Sequence, residues 1–143
     1  KRGKTWKVNR RTCRSQGGDL VSIETKEEWM FISREIRNRS SKSYHIGLKK
    51  KADMWTWLSG RPLTICQWRK NQLTRKRNVA VIRKVSKTTI DNECKIDYFD
   101  RYERAAYICE VSNGKTEPLL FHIGWDNNIF IKQTFRNPCD HHR

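Results

Sequence analysis

Arg69, Lys70, Arg75, Lys76 and Arg77 put five cations into nine residues. Guanidinium forks match the geometry of sulfate, phosphate and carboxylate, and ammonium groups add point charge. Lys49-Lys50-Lys51 and Arg83-Lys84 enlarge the same reserve. The chemistry such a run performs is recognition of an acidic group. The alternative is a set of solvated loop charges with no specificity of their own.

Covalent chemistry finds little support. Catalysis needs a nucleophile, a base and an orienting group brought together. The chain holds no Gly-x-Ser-x-Gly, no phosphate loop and no His-Glu-x-x-His. Of its four histidines, His122, His141 and His142 lie near the C-terminus, and His45 sits inside an apolar stretch. Cys139-Asp140-His141-His142 offers metal-ligand types, but without a fourth ligand it reads as a chain end. The expectation is that the protein is not an enzyme, with no catalytic residues, no metal site and no cofactor.

The charge extends well beyond the loop. Lys and Arg total 31 against 15 Asp and Glu, a net charge of +16. From Thr116 onward Lys132, Arg136 and Arg143 balance Glu117, Asp126 and Asp140, so the excess belongs to residues 1–115. A field of this sign draws polyanions and steers their approach. Nucleic acid is the competing partner class, because a basic chain rich in aromatics is its usual footprint. No nucleic-acid-binding motif accompanies the charge, and the basic residues do not line one helix, so none is expected as a partner. No run of 18 apolar residues exists to span a membrane. The chain opens on Lys1-Arg2-Gly3-Lys4 rather than Met and is read as a piece of a longer precursor.

The elements that must position these residues follow from periodicity. Trp6, Arg10 and Cys13 share a helical face within Thr5 to Gln16, and Gly17-Gly18 ends that helix. Leu20-Val21-Ser22-Ile23 reads as a short strand. Thr25-Lys26-Glu27-Glu28 is a capping box, opening a helix with Trp29, Ile32 and Ile36 on one face that runs to about Arg39. The period then changes to two. Tyr44 to Leu48, Met54 to Leu58, Asn78 to Val85 and Ala105 to Val111 are predicted strands, with a polar, basic loop over Asn71 to Asn78. Two early helices and later short strands make an α+β domain.

In that order the pieces resemble the C-type-lectin-like domain family. The resemblance rests on Trp6 and Cys13 in the first helix, Gly17 to Ile23, and Glu28 to Ile32. It continues through His45-Ile46-Gly47-Leu48, where the family carries Trp-Ile-Gly-Leu, then Trp55-Thr56-Trp57, Gly60, Leu63, Trp68 and Tyr107-Ile108-Cys109-Glu110. It implies two helices packed on short antiparallel sheets with a long loop region, and a bridge from Cys13 to Cys109. The family's second bridge lacks its upstream half, so Cys66 and Cys94 either pair with each other or stay free. His45 replaces a core Trp and is expected to be a hydrogen-bonded interior histidine. The domain is taken as residues 1–111, with the family's opening hairpin missing before Lys1. Residues 112–143 form a C-terminal extension in which Leu119 to Ile123 and Ile129 to Gln133 read as a β-hairpin. It either caps the exposed sheet edge or begins a further domain.

Sugar-binding members of that family hold calcium through Glu-Pro-Asn or Gln-Pro-Asp and a later Asn-Asp pair. Here the loop reads Trp68-Arg69-Lys70-Asn71-Gln72-Leu73-Thr74, with Leu73 in the proline's place. A cis bond before a non-proline residue costs about 2.5–4 kcal/mol, and Thr74 offers only a neutral oxygen. Calcium wants six to eight oxygens, several of them carboxylate. Asp91, Asp97 and Asp100 give three candidate registers on the later strand, none with the full Trp-Asn-Asp triplet. The expectation is an extracellular binding module, secreted or an ectodomain. It would recognise an acidic glycan or protein through Arg69, Lys70, Arg75, Lys76 and Arg77 without calcium.

Overall fold

The computed structural model describes residues 3–37, 39–52, 54–63, 77–83, 96–100, 103–112, 119–123 and 128–132. The first helix, α1 (Trp6–Ser15), starts where Thr5 turns extended and its side chain accepts from Val8 N at 3.4 Å. It ends at Gln16, and Gly17 takes a φ of +90°, which a residue with a Cβ adopts only at a cost. Strand β1 (Gly18–Leu20) follows at once. The predicted strand began at Leu20 and ran to Ile23. The observed ladder instead covers Gly18 to Leu20, because the Glu110, Val111 and Cys109 positions it pairs with lie there.

The capping box forms as read. Glu28 N donates to Thr25 Oγ1 at 3.1 Å, while Glu28 Oε1 accepts from Glu24 N at 2.8 Å and Thr25 N at 3.3 Å. That satisfies backbone donors which the first turn of α2 (Lys26–Arg37) would leave open. Trp29, Ile32 and Ile36 are its buried face.

The described strands continue as β2 (Ser43–Lys51), β3 (Met54–Trp57), β4 (Arg77–Arg83), β5 (Ile96–Asp100), β6 (Ala106–Ser112), β7 (Leu119–Ile123) and β8 (Asn128–Lys132). Their order is β5-β4-β2-β6-β7-β8, with β3 on β2 and β1 on β6. Pairing is antiparallel except between β2 and β6. Those two run parallel through Tyr44 beside Ala106 and His45 beside Tyr107. The sheets are therefore mixed, where antiparallel ones were expected. Strand β5 was expected only as the family's later strand, its register left open among Asp91, Asp97 and Asp100; it pairs along β4 from Ile82 to Arg77.

Burial explains why β2 departs from simple alternation. Tyr44, His45, Ile46, Gly47 and Leu48 are all buried, so both faces of the strand are covered. One face meets α2 and its neighbours, where the Trp29 and Trp57 rings sit 6.2 Å apart. The other meets α1 through Trp6, Cys13, Leu20, Val79, Val81 and Tyr107. Cys13 and Cys109 are bonded to each other inside this second cluster, both fully buried. Gly47 is needed where it stands, because a Cβ there would meet the Leu20 carbonyl oxygen at 2.6 Å and that of Val21 at 2.9 Å.

Strand β6 is the hub. It pairs with β1 from Leu20 to Gly18, with β7 from Ile123 to Leu119, and with β2 at its start. Strands β7 and β8 form an antiparallel hairpin, and Ile123 reaches the main core with no exposed surface.

Candidate functional site

Helix α1 and strand β2 meet across Trp6. Its indole N–H donates to the Ile46 carbonyl at 3.0 Å, which ties the helix to the middle of the strand. Over the same ring lie the Arg10 guanidinium, 5.8 Å from the centroid, and the Lys49 ammonium, at 5.6 Å. Such contacts are favoured by the ring's negative face. Arg10 also grips Asp19 with both arms of its fork, Nε to Oδ1 at 3.0 Å and Nη2 to Oδ2 at 3.1 Å. Arg14 reaches the same carboxylate at 3.3 Å. Asp19 itself caps the backbone N–H of Leu20 at 2.8 Å.

The strand register then brings the lysine run of β2 toward Arg77. Lys49 on β2 stands opposite Val79 on β4, two residues from Arg77. Because the two strands are antiparallel, the Lys49-Lys50-Lys51 end of β2 lies beside the Arg77 end of β4. Arg77 is thus placed by its backbone at the start of β4, paired with Asp100. Arg69, Lys70, Arg75 and Lys76 lie outside the described residues, as do Cys66, Cys94, Trp68 and Leu73. Trp57 is buried and Trp55 packs against the core, as their places in the sequence suggested.

The five-residue site named from the loop left out Lys7, Arg10 and Lys49, although Lys49 belongs to the wider basic reserve. The signal for the first two was present, as cations three apart on one helix turn beside Trp6. Lys49 joins them only through the packing of α1 on β2 across Trp6, a long-range fact.

His45 has no exposed surface, and Asn9 Nδ2 stands 2.9 Å from its Nδ1. Burial holds its pKa down at about 3, so the ring is neutral at physiological pH. Among the described residues no cluster of three or more His, Cys, Asp or Glu side chains is arranged to hold a metal ion. Among them, too, no helix is long and apolar enough to cross a membrane.

The family model for the lectin C-type domain matches residues 2–111. The chain belongs to the C-type lectin domain family. Members of this family are in general non-catalytic modules that bind glycans or proteins. Similar curated proteins include mouse C-type lectin domain family 4 member F, 33% identical over 75 residues. That match covers 48% of this chain and 13% of the relative. Human secretory phospholipase A2 receptor is 35% identical over 65 residues, 46% of this chain and 4% of the receptor. The chain therefore spans a small part of the relatives it matches.

Solved C-type lectin folds agree with the architecture. The mouse scavenger receptor C-type lectin carbohydrate-recognition domain superposes with a TM-score of 0.63 at 21% identity, covering 81% of this chain and 87% of that one. A calcium-independent type II antifreeze protein gives 0.59 at 22% identity, covering 76% and 78%. At such identities the likeness is one of fold.

Proposed function

We propose that this C-type lectin domain is an extracellular, non-catalytic binding module that recognises an acidic ligand, a sulfated or sialylated glycan foremost, without calcium. The observation that carries the reading is the β2–β4 register, which brings Lys49-Lys50-Lys51 beside Arg77, the last of the five loop cations. Cationic runs held at one sheet end strengthen the local field far more than the same charges dispersed.

Independence from calcium is supported by the loop's composition. Leu73 stands in the place of the family's proline, Thr74 gives no carboxylate, and Arg69, Lys70, Arg75, Lys76 and Arg77 repel a divalent ion. One neighbour in fold is titled calcium-independent, and another is titled a carbohydrate-recognition domain. The Cys13–Cys109 bridge fits an oxidising, extracellular setting better than a nuclear one, which weighs against nucleic acid as the partner.

Heparin-column retention tests the reading. Retention should survive EDTA, fall steeply with salt, and drop when Arg69, Lys70, Arg75, Lys76 and Arg77 are all replaced by Ser. Retention lost on chelation, or unchanged in the five-site variant, overturns it.

A further inference from the structure

A groove of about 550 Å³ opens between the start of α1 and strands β2 and β4. That volume lies within the range of small-ligand sites. Helix α1 supplies Trp6, Lys7 and Arg10, β2 supplies Lys49, and β4 supplies Asn78 and Val79. With Thr5 at the helix cap these are seven described lining residues, three of them cations and none a carboxylate.

The cations differ in what they have left to offer. The Nε and Nη2 edge of Arg10 is engaged with the Asp19 carboxylate, which offsets its charge, so its part is to shape the wall. Lys7 and Lys49 are exposed and make no ion pair among the described residues. Lys49 is nevertheless held in place, because its ammonium rests over the Trp6 ring. Trp6 itself is only 6% exposed, so it holds a cation instead of stacking on a ligand. Charges of one sign that line one groove repel each other, and an anion between them relieves the repulsion. Asn78 adds a second requirement, since its buried Oδ1 has no hydrogen-bond donor among the described residues. Leaving such an acceptor unmet is costly, and a ligand hydroxyl beside the anion supplies the donor.

We infer that this groove is a subsite for an acidic saccharide, one unit bearing an anionic group next to a free hydroxyl. Lys7 and Lys49 bind the anion, Asn78 meets the hydroxyl, and Trp6 and Arg10 are positioning residues. The inference rests on the acidic-ligand reading above, but it involves residues outside the five loop cations. Sulfate esters and sugar carboxylates share the required chemistry.

The test titrates the whole chain, in EDTA and at physiological salt, with a heparin-derived hexasaccharide, with sialyllactose and with inorganic polyphosphate. Variants are Lys7→Ala, Lys49→Ala, Asn78→Ala and, as a charge-matched control, Lys42→Ala. Lys7→Ala and Lys49→Ala should each weaken saccharide binding by about tenfold or more, against about twofold or less for Lys42→Ala. The Trp6 indole N–H resonance should shift on titration. Asn78→Ala should weaken the saccharides and leave polyphosphate unchanged. Binding of the hexasaccharide alone names a sulfate source, and binding of sialyllactose alone names a carboxylate source. If Lys7→Ala and Lys49→Ala match the control, the groove is not the site. The acidic-ligand reading then survives only if the five-site loop variant still abolishes binding. Polyphosphate that binds as tightly as either saccharide and is equally sensitive to Asn78→Ala rejects the saccharide class, as does failure of both saccharides to bind.

Discussion

Asn9 Nδ2 meets His45 Nδ1 at 2.9 Å in the interior, and the surrounding carbonyls decide which atom carries the proton. The carbonyls of Ala105 at 2.9 Å, Lys4 at 3.3 Å and Ala106 at 3.3 Å also face this Nδ2, so its two hydrogens are shared among four acceptors. Carbonyl oxygens cannot donate, so the atom facing them is the amide nitrogen. His45 Nδ1 is therefore the acceptor, and its single proton sits on Nε2. One amide thus ties α1 to β2 and to the start of β6, and it requires a neutral ring.

Acid should weaken the fold through this residue. The unfolded chain takes up a proton on histidine near pH 6.5, whereas burial keeps the folded ring neutral down to about 3. Between those values the unfolded state binds more protons. The stability His45 contributes is whole above about pH 6.5 and falls as pH drops toward 3, with a slope approaching about 1.4 kcal/mol per pH unit. Urea unfolding from pH 7 to 5 should show this slope, and His45→Gln, which keeps an acceptor for Asn9 without titrating, should flatten it. An identical slope in the variant would assign the acid sensitivity to other groups.

The bridge between Cys13 and Cys109 closes a sequence separation of 96 residues. In the chain-entropy account a loop of that size constrains the unfolded ensemble by about 4–5 kcal/mol. The Cys13→Ser, Cys109→Ser pair should therefore unfold at markedly lower urea, with reductant giving a similar loss in the parent chain. A midpoint that moves by less than the equivalent of about 1 kcal/mol contradicts the account.

Gly47→Ala asks whether the close crossing of β2 over the chain after β1 is as tight as it stands. The added methyl would press on the Leu20 and Val21 carbonyls, and Gly47 N already donates to Val21 O at 2.7 Å. Backbone does not yield as a side-chain tip does, so a cost of about 2–3 kcal/mol is expected. Thermal denaturation reads it directly. An unchanged melting temperature argues against so close an approach.

What could be read in advance followed the range of the forces involved. The Thr25–Glu28 box depends on four consecutive residues and was legible as it stood. The Cys13–Cys109 bridge came from the family's order of motifs, since no local rule links two such distant thiols. His45 read as an interior histidine because it stands in the place of the family's core Trp, yet its partner Asn9 lies on another element and gave no sign. The bounds of strand β5 were hidden by Asp97 and Asp100, which interrupt the apolar pattern of Ile96 to Asp100. The groove was hidden for a related reason. Lys49 looked like part of a lysine run, and only the packing of α1 on β2, with Trp6 bonded to the Ile46 carbonyl and lying under the Lys49 ammonium, brings it to Lys7 and Arg10.

The same long-range logic makes the segment beyond β6 testable as part of the fold. Ile123 belongs to β7, pairs with Ile108 on the hub strand, and is fully buried in the main cluster with Trp29, Ile46 and Leu48. A side chain so placed has no local reason to be there, and its burial depends on β7 staying paired with β6. Ile123→Ala removes three buried carbons and leaves a cavity, for an expected loss of about 2–4 kcal/mol. Ile46→Ala, within the family-matched region, provides the yardstick, and both losses should appear in one cooperative transition. If Ile123→Ala leaves the unfolding midpoint untouched while Ile46→Ala lowers it, β7 and β8 are an appendage and the core is complete without them. Equal losses make the hairpin an integral edge of the domain.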